Sequence, residues 1–185
     1  MATSPAILNP SIELPKIHKV WLPVFFSLVF ICFTSSTLMS GYHTQFVVDD
    51  VWKALFGNWH LNDWPGIVNA DGRKIGHFFG YGMVGLIFRN AWQHTLSARA
   101  VRLGRAMMRS RLAILSVLFS VASIFLIASA DEFHQCFLPQ RVGSFGDVLR
   151  DTFGAICLNL VLLAYRAYQR PAAAHVWDPE ACAAD

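Results

Sequence analysis

Polar and ionisable side chains occur in three separate parts of a largely apolar sequence. In the first part, Lys74, His77 and Tyr81 are three and four residues apart and would share one face of a helix. The ten residues of the three parts are Lys74, His77, Tyr81, Asp131, Glu132, Gln135, Arg141, Ser144, Asp147 and Asp151. Brought together, such basic groups, carboxylates and an imidazole can bind a charged or hydroxylated ligand or transfer protons.

Proton transfer would make the chain an enzyme. His77 would act as general acid or base, with Glu132 or Asp147 as its carboxylate partner, on an ester, phosphate or glycosidic bond. No nucleophile is evident, because Ser144 is better explained as a helix N-cap and Cys136 has no recognisable setting. The catalytic assignment stays open, with these three ionisable residues as candidates.

Ligand binding without reaction is the preferred interpretation. Lys74 and Arg141 would hold an anionic group, while nearby acids and Gln135 orient them or accept hydrogen bonds from hydroxyl groups. A structural or partner-binding role is a third alternative. Since buried ions are costly unless paired, we expect Arg73, Lys74 and Arg141 to meet Asp131, Glu132 and Asp147.

The elements that position these residues are membrane helices. Of the 185 residues, 55% are hydrophobic and only 15% are charged. Residues 20–38 and 112–130 contain no charged side chain, and each run is roughly 28 Å long as a helix, close to the thickness of a hydrocarbon core. Residues 75–92 and 148–165 are two further candidates. The sequence predicts an all-α, polytopic membrane bundle of four transmembrane helices.

The distribution of charge orients this bundle. Residues 93–111 hold five arginines and no acid, whereas residues 39–72 hold four aspartates and one lysine. By the positive-inside rule the arginine-rich loop is cytoplasmic, and so are the predicted tails, 1–18 and 171–185, on either side of a membrane domain at 19–170. The first span is predicted to be a retained anchor rather than a cleaved signal peptide. The polar residues then lie at the outer membrane face.

Two smaller features belong to this architecture. Apolar residues between Val47 and Trp59 recur at three- and four-residue spacing, which predicts an amphipathic helix lying in the outer interface. Gly76, Gly80, Gly82 and Gly85 are predicted to allow close approach between helices.

Several classes of protein are disfavoured. The four cysteines have no metal-ligand spacing, so neither a metal nor another cofactor is predicted. The net charge of +3 comes with an arginine-rich loop that is explained by topology, so no nucleic-acid partner is expected. Membrane lipids are the expected partners, and the sequence does not indicate an oligomeric state.

Specific motifs occur at Phe33–Ser36, Arg73–Tyr81, Asp131–Gln135, Pro139–Arg141, Ser144, Asp147–Val148 and Asp151–Ala155. Together, over roughly residues 20–166, they resemble the VanZ-like family of small bacterial membrane proteins. Arg73 departs from the family pattern, in which an aspartate often precedes the lysine. The resemblance maps the ten polar residues onto the family's polar positions and implies a multi-pass protein of the bacterial plasma membrane.

The family takes its name from a protein linked to low-level teicoplanin resistance, a glycopeptide phenotype of the cell envelope. This is compatible with a lipid or a lipid-linked envelope precursor as the ligand. The resemblance supplies an architecture and a site, and no agreed biochemical activity.

Overall fold

The computed structural model describes residues 17–36, 41–57, 64–104, 107–138 and 142–169. These ranges form five helices: α1 Ile17–Thr34, α2 Gly41–Phe56, α3 Trp64–Arg102, α4 Arg109–Gln135 and α5 Phe145–Tyr168. The all-helical fold class is therefore confirmed. The predicted tails lie outside the described residues, except that α1 already begins at Ile17.

Three of the described helices, α1, α4 and α5, are long and apolar enough to cross a membrane. Of their most apolar 18-residue stretches, only 11%, 28% and 33% of the residues are buried inside the protein. The remaining apolar surface requires a hydrocarbon environment rather than water. The chain is therefore a helical membrane bundle.

Helix α3 is the central element of this bundle and packs against each of the other four helices. It has 39 residues and is about 58 Å long, roughly twice the thickness of a hydrocarbon core. The predicted span at 75–92 lies within it. Because α3 is more polar than the other three long helices, a bilayer crossing by α3, and hence the count of four spans, stays a prediction.

Helices α3 and α5 approach closely and run in the same direction. A Cβ atom at Gly82 would lie 3.0 Å from the carbonyl oxygen of Gly154, and one at Gly85 would lie 2.9 Å from the Cβ atom of Ala155. The predicted role in close packing is thus confirmed for Gly82 and Gly85. It is wrong for Gly76 and Gly80, where a Cβ atom would meet no described atom within 4 Å, since that side of α3 faces away from α5.

Helix α1 runs antiparallel to α3 and is held at one end. The indole Nε1 of Trp21 donates a hydrogen bond of 3.0 Å to Thr95 Oγ1, and the Trp21 ring packs edge-on against Trp92 and Phe88. At the other end the two helices leave a groove between them. This contact fixes α1 in register beside α3 while its outward face is exposed.

The predicted amphipathic helix is present as α2. Asn69 of α3 accepts a hydrogen bond from Thr44 and donates one to Gln45, at 3.0 and 2.8 Å. Val47 and Leu55, in contrast, are 65% and 70% exposed. Polar contacts therefore attach α2 to α3 and leave its apolar face outward, as an interfacial helix requires. The interfacial position stays a prediction, and Trp59 lies outside the described residues.

Candidate functional site

The first part of the site is a buried hydrogen-bonded link between α3 and α4. The hydroxyl of Tyr81 donates to Asp131 Oδ2 at 3.0 Å, and Gln135 Nε2 donates to the same oxygen at 3.1 Å. All three residues are at most 9% exposed. The pair of donors satisfies a carboxylate that would otherwise be costly to bury.

The second part is an imidazole–carboxylate pair between α3 and α5. His77 Nδ1 lies 3.4 Å from Asp151 Oδ2, and the His77 ring stacks on Tyr81 with 5.9 Å between centroids. The Asp151 side chain is 1% exposed, whereas that of His77 is 31% exposed. A buried carboxylate thus orients a ring that is still accessible from outside.

The carboxylate partner of His77 was predicted wrongly as Glu132 or Asp147. Glu132 Oε2 instead accepts a hydrogen bond of 2.8 Å from the backbone N–H of Ser144, which fixes the segment that enters α5. Asp147 forms an ion pair with Arg150, one turn away on the same helix. Asp151 is the partner because it lies one turn deeper on α5, where α5 meets α3.

The predicted pairing of basic residues with the acids of α4 and α5 is corrected for Lys74. Lys74 Nζ lies 3.1 Å from Asp71 on its own helix, and both side chains are more than half exposed. It does not join the acids of α4 and α5, because it lies on the solvent-facing side of α3. Ser144 occupies the N-cap position of α5 as predicted, but its hydroxyl forms no capping hydrogen bond. Arg141 lies outside the described residues.

The structure thus brings together six of the ten predicted residues, which we call the outer polar cluster after their predicted membrane face: His77, Tyr81, Asp131, Glu132, Gln135 and Asp151. Lys74 is turned away from them, and Asp147 is engaged with Arg150 on the rim. Within the described ranges, no three His, Cys, Asp or Glu side chains converge in a way that could hold a metal ion.

A groove of about 740 Å³ runs between α1 and α3 beside this cluster. We call it the lateral groove. Its lining is mostly apolar, and its polar end contains Arg73, His77 and Tyr81. Its volume falls within the roughly 300–1,000 Å³ usual for ligand pockets. The groove is therefore apolar along most of its length and ends at the accessible side of the cluster.

The charges at the polar end are arranged in two layers. Arg73 and His77 face the lateral groove, while Asp131 and Asp151, at 9% and 1% exposure, lie behind them and do not line it. A ligand in the groove would therefore meet the guanidinium of Arg73 and the imidazole of His77 first. Sequence reasoning did not assign Arg73 to the site, and its position one turn before His77 was the available signal.

Two buried polar residues further along the bundle were also missed. Arg89 is 2% exposed and Asn159 is fully buried, and Arg89 Nε and Nη1 and Asn159 Oδ1 have no hydrogen-bond partner among the described residues. Arg89 continues the four-residue spacing of His77, Tyr81 and Gly85 along α3, which could have identified it as inward-facing. Its donors and the Asn159 acceptor are the kind of groups that buried water connects.

Comparisons with known proteins agree with this architecture. A family model described as VanZ/LLP1 matches residues 17–166, which is most of the chain and includes the whole outer polar cluster. Neither a curated protein nor a solved structure was found to match. The structure adds helical spans and a polar cluster carried by α3, α4 and α5. Because the match covers most of the chain, the chain belongs to the VanZ/LLP1 family.

Proposed function

We propose that the protein binds an amphiphile of the cell envelope, a lipid or a lipid-linked precursor, with its headgroup at the outer polar cluster. The protein would lie in the bacterial plasma membrane with both termini in the cytoplasm and the cluster at the outer face. The segregation of arginines to residues 93–111 supports this orientation.

One observation carries the proposal: the lateral groove is apolar along most of its lining and ends in Arg73, His77 and Tyr81. A soluble ligand does not require an apolar groove, and a purely structural polar network does not require an accessible imidazole. An amphiphile needs both features, since its chain requires apolar surface and its headgroup requires hydrogen-bond donors.

The individual residues would then have distinct tasks. Arg73 and His77 would donate to an anionic headgroup, and the buried Asp151 would hold the imidazole in one orientation. The Tyr81–Asp131–Gln135 link would keep α3 and α4 at a fixed distance. If the ligand is a lipid-linked precursor of the cell wall, sequestering it would alter susceptibility to glycopeptide antibiotics, which is the link to the family's teicoplanin phenotype.

The experiment measures thermal unfolding of the purified full chain in a neutral detergent. Ligands to be added are phosphatidylglycerol, a polyisoprenyl phosphate and a lipid-linked precursor, with phosphatidylcholine as the neutral control. A ligand at about one hundred times its Kd stabilises the folded state by about 2.7 kcal/mol, which is a readily measured shift in Tm. We expect at least one anionic ligand to produce it in the wild type.

Three substitutions on α3 provide a matched comparison. Arg73→Gln and His77→Ala should fold but lose the ligand-dependent shift, whereas Lys74→Gln should keep it, because Lys74 is paired with Asp71 outside the groove. If no amphiphile stabilises the wild type, or if all three variants respond as it does, the binding proposal is wrong. If Arg73→Gln and His77→Ala simply unfold, a structural network is favoured.

The His77–Asp151 pair favours a second candidate, a membrane-embedded hydrolase. A buried carboxylate at Nδ1 leaves the other ring nitrogen to take a proton from water attacking an ester bond in the groove. A His77→Gln variant would then bind the amphiphile but convert none of it. Mass spectrometry of each ligand after incubation with wild type and variant distinguishes turnover from binding alone.

A further inference from the structure

The floor of the lateral groove is formed by two glycines that helix packing does not explain. Gly76 and Gly80 both line the groove and lie one turn apart on α3, and a Cβ atom at either would meet no described atom within 4 Å. They are part of the helix and show no positive φ. Glycine weakens a helix relative to alanine, and here it does not make room for a neighbouring helix. The absence of side chains at these two positions therefore indicates another role.

Gly82 and Gly85, on another side of the same helix, show the alternative case. There a Cβ atom would come within about 3 Å of α5, so glycine is needed for protein–protein contact. At the groove the same residue type leaves bare backbone facing open space. Close approach of a ligand to the backbone is another use of glycine.

The surroundings of the glycines define what could approach them. Phe26 and Phe30 of α1, 61% and 65% exposed, and Met83 of α3 line the groove, so its side toward the bilayer is apolar. Arg73 and His77 lie at the polar end. A guanidinium and an imidazole both donate to oxyanions, and a guanidinium matches the oxygens of a phosphate especially well.

We propose that the lateral groove holds one hydrocarbon chain of a phosphate-bearing amphiphile that enters sideways from the outer leaflet. The chain lies over Gly76 and Gly80 between α1 and α3, and the phosphate binds at Arg73 and His77. This inference rests on the proposed function and adds to it the headgroup class, the site of the chain and the residues that keep that site open.

The test measures the Kd of tetradecyl phosphate for the full-length protein in phosphatidylcholine nanodiscs. Gly76→Leu and Gly80→Leu place a side chain in the groove, and Gly72→Leu is the matched control, since it lies on the same helix in open space but not in the groove lining. We expect the Kd to rise at least about tenfold in the two groove variants, as when a pocket excludes part of its ligand, and to be unchanged in the control.

Two further probes identify what is recognised. Inorganic phosphate should not compete measurably, because it lacks the chain, and tetradecanol should bind much more weakly, because it lacks the phosphate. Equal competition by tetradecanol would show that the phosphate is not recognised and would overturn the headgroup class. Effective competition by inorganic phosphate would show a free-anion site and overturn the chain site.

The outcomes separate the two proposals. If the wild type binds, His77→Ala weakens binding and Gly80→Leu does not, the chain site is wrong while the headgroup site stands. If His77→Ala binds as the wild type does, the proposed function itself is wrong. Failure of Gly80→Leu to fold would also overturn the chain site, since the groove floor would then not be open. The smaller Gly80→Ala should fold in every case and bind more weakly than the wild type if the chain lies against the backbone.

Discussion

Single hydrogen bonds in the outer polar cluster connect helices that otherwise meet through small or apolar side chains. The Tyr81 hydroxyl is the clearest case, because it is 4% exposed and contacts the buried carboxylate of Asp131 at 3.0 Å. Removing a donor from a buried charged acceptor costs more than an average hydrogen bond contributes, since the acceptor stays desolvated. The cluster therefore contributes to stability as well as to any ligand site.

Replacing Tyr81 with phenylalanine tests this contribution. We expect Tyr81→Phe to lower the free energy of unfolding by about 1–3 kcal/mol, as measured by denaturant titration in mixed micelles. Tyr165→Phe is the matched control, because Tyr165 is 59% exposed and its loss should change stability by less than about 0.5 kcal/mol. Equal effects of the two substitutions would show that the Tyr81 hydroxyl contributes no more to the free energy of unfolding than an exposed hydroxyl does.

Residue types could be predicted from the sequence, but their pairing could not. The charge pattern placed His77, Asp131 and Asp151 at the same membrane face. Which carboxylate meets His77 depends on how far α5 is shifted along α3 and how it is rotated, and neither quantity is encoded in spacing along one helix. Lys74 shows the same limit, since it pairs with Asp71 on its own helix instead of reaching the cluster.

At the scale of elements, the pairing of α3 with α5 is fixed by backbone contact. A Cβ atom at Gly154 would overlap the carbonyl oxygen of Phe78, and Gly85 lies directly against Ala155. Small residues at both surfaces let the helices approach without a polar interface, as in other membrane bundles. The length of α3 was not predicted, because residues 64–74 and 93–102 are too polar to continue an apolar span. The first of these segments extends the helix to meet α2, and the second, predicted as part of the arginine-rich loop, is helical.

The same substitution at two glycines should have opposite effects. Gly154→Ala forces α3 and α5 apart and should destabilise the protein by about 1–3 kcal/mol, whereas Gly80→Ala should be neutral or stabilise it by up to about 1 kcal/mol through helix propensity. Unfolding titrations of both variants in one micelle composition give the comparison. Destabilisation by Gly80→Ala equal to that by Gly154→Ala would contradict the open groove.

At the scale of the whole molecule, orientation in the membrane is the property that decides which face the cluster serves. Native cysteines allow a direct test. Cys136 is exposed just beyond the end of α4 on the cluster side, and Cys182 belongs to the predicted cytoplasmic tail. The test uses two single-cysteine variants of the full chain, one that retains Cys136 and one that retains Cys182.

A membrane-impermeant maleimide added to intact cells should label Cys136 and not Cys182, and both should react after permeabilisation. The expectation follows from the arginines of residues 93–111, for which the positive-inside rule predicts a cytoplasmic position. Labelling of Cys182 alone would reverse the topology and place the cluster inside. Labelling of both in intact cells would mean that both cysteines lie outside, so that an even number of crossings, and not the single predicted crossing by α5, separates them.

The central position of α3 has a consequence for the biosynthesis of the chain. α1, α4 and α5 are apolar enough to enter a bilayer individually, but α3 carries the polar side of the bundle, and its partners on α4 and α5 are synthesised after it. The predicted integration of α3 should therefore be completed only when the C-terminal half has emerged from the ribosome. A chain that stops after residue 104 lacks the cluster residues of α4 and α5, and it would also leave α3 loosely inserted and exposed to quality-control proteases.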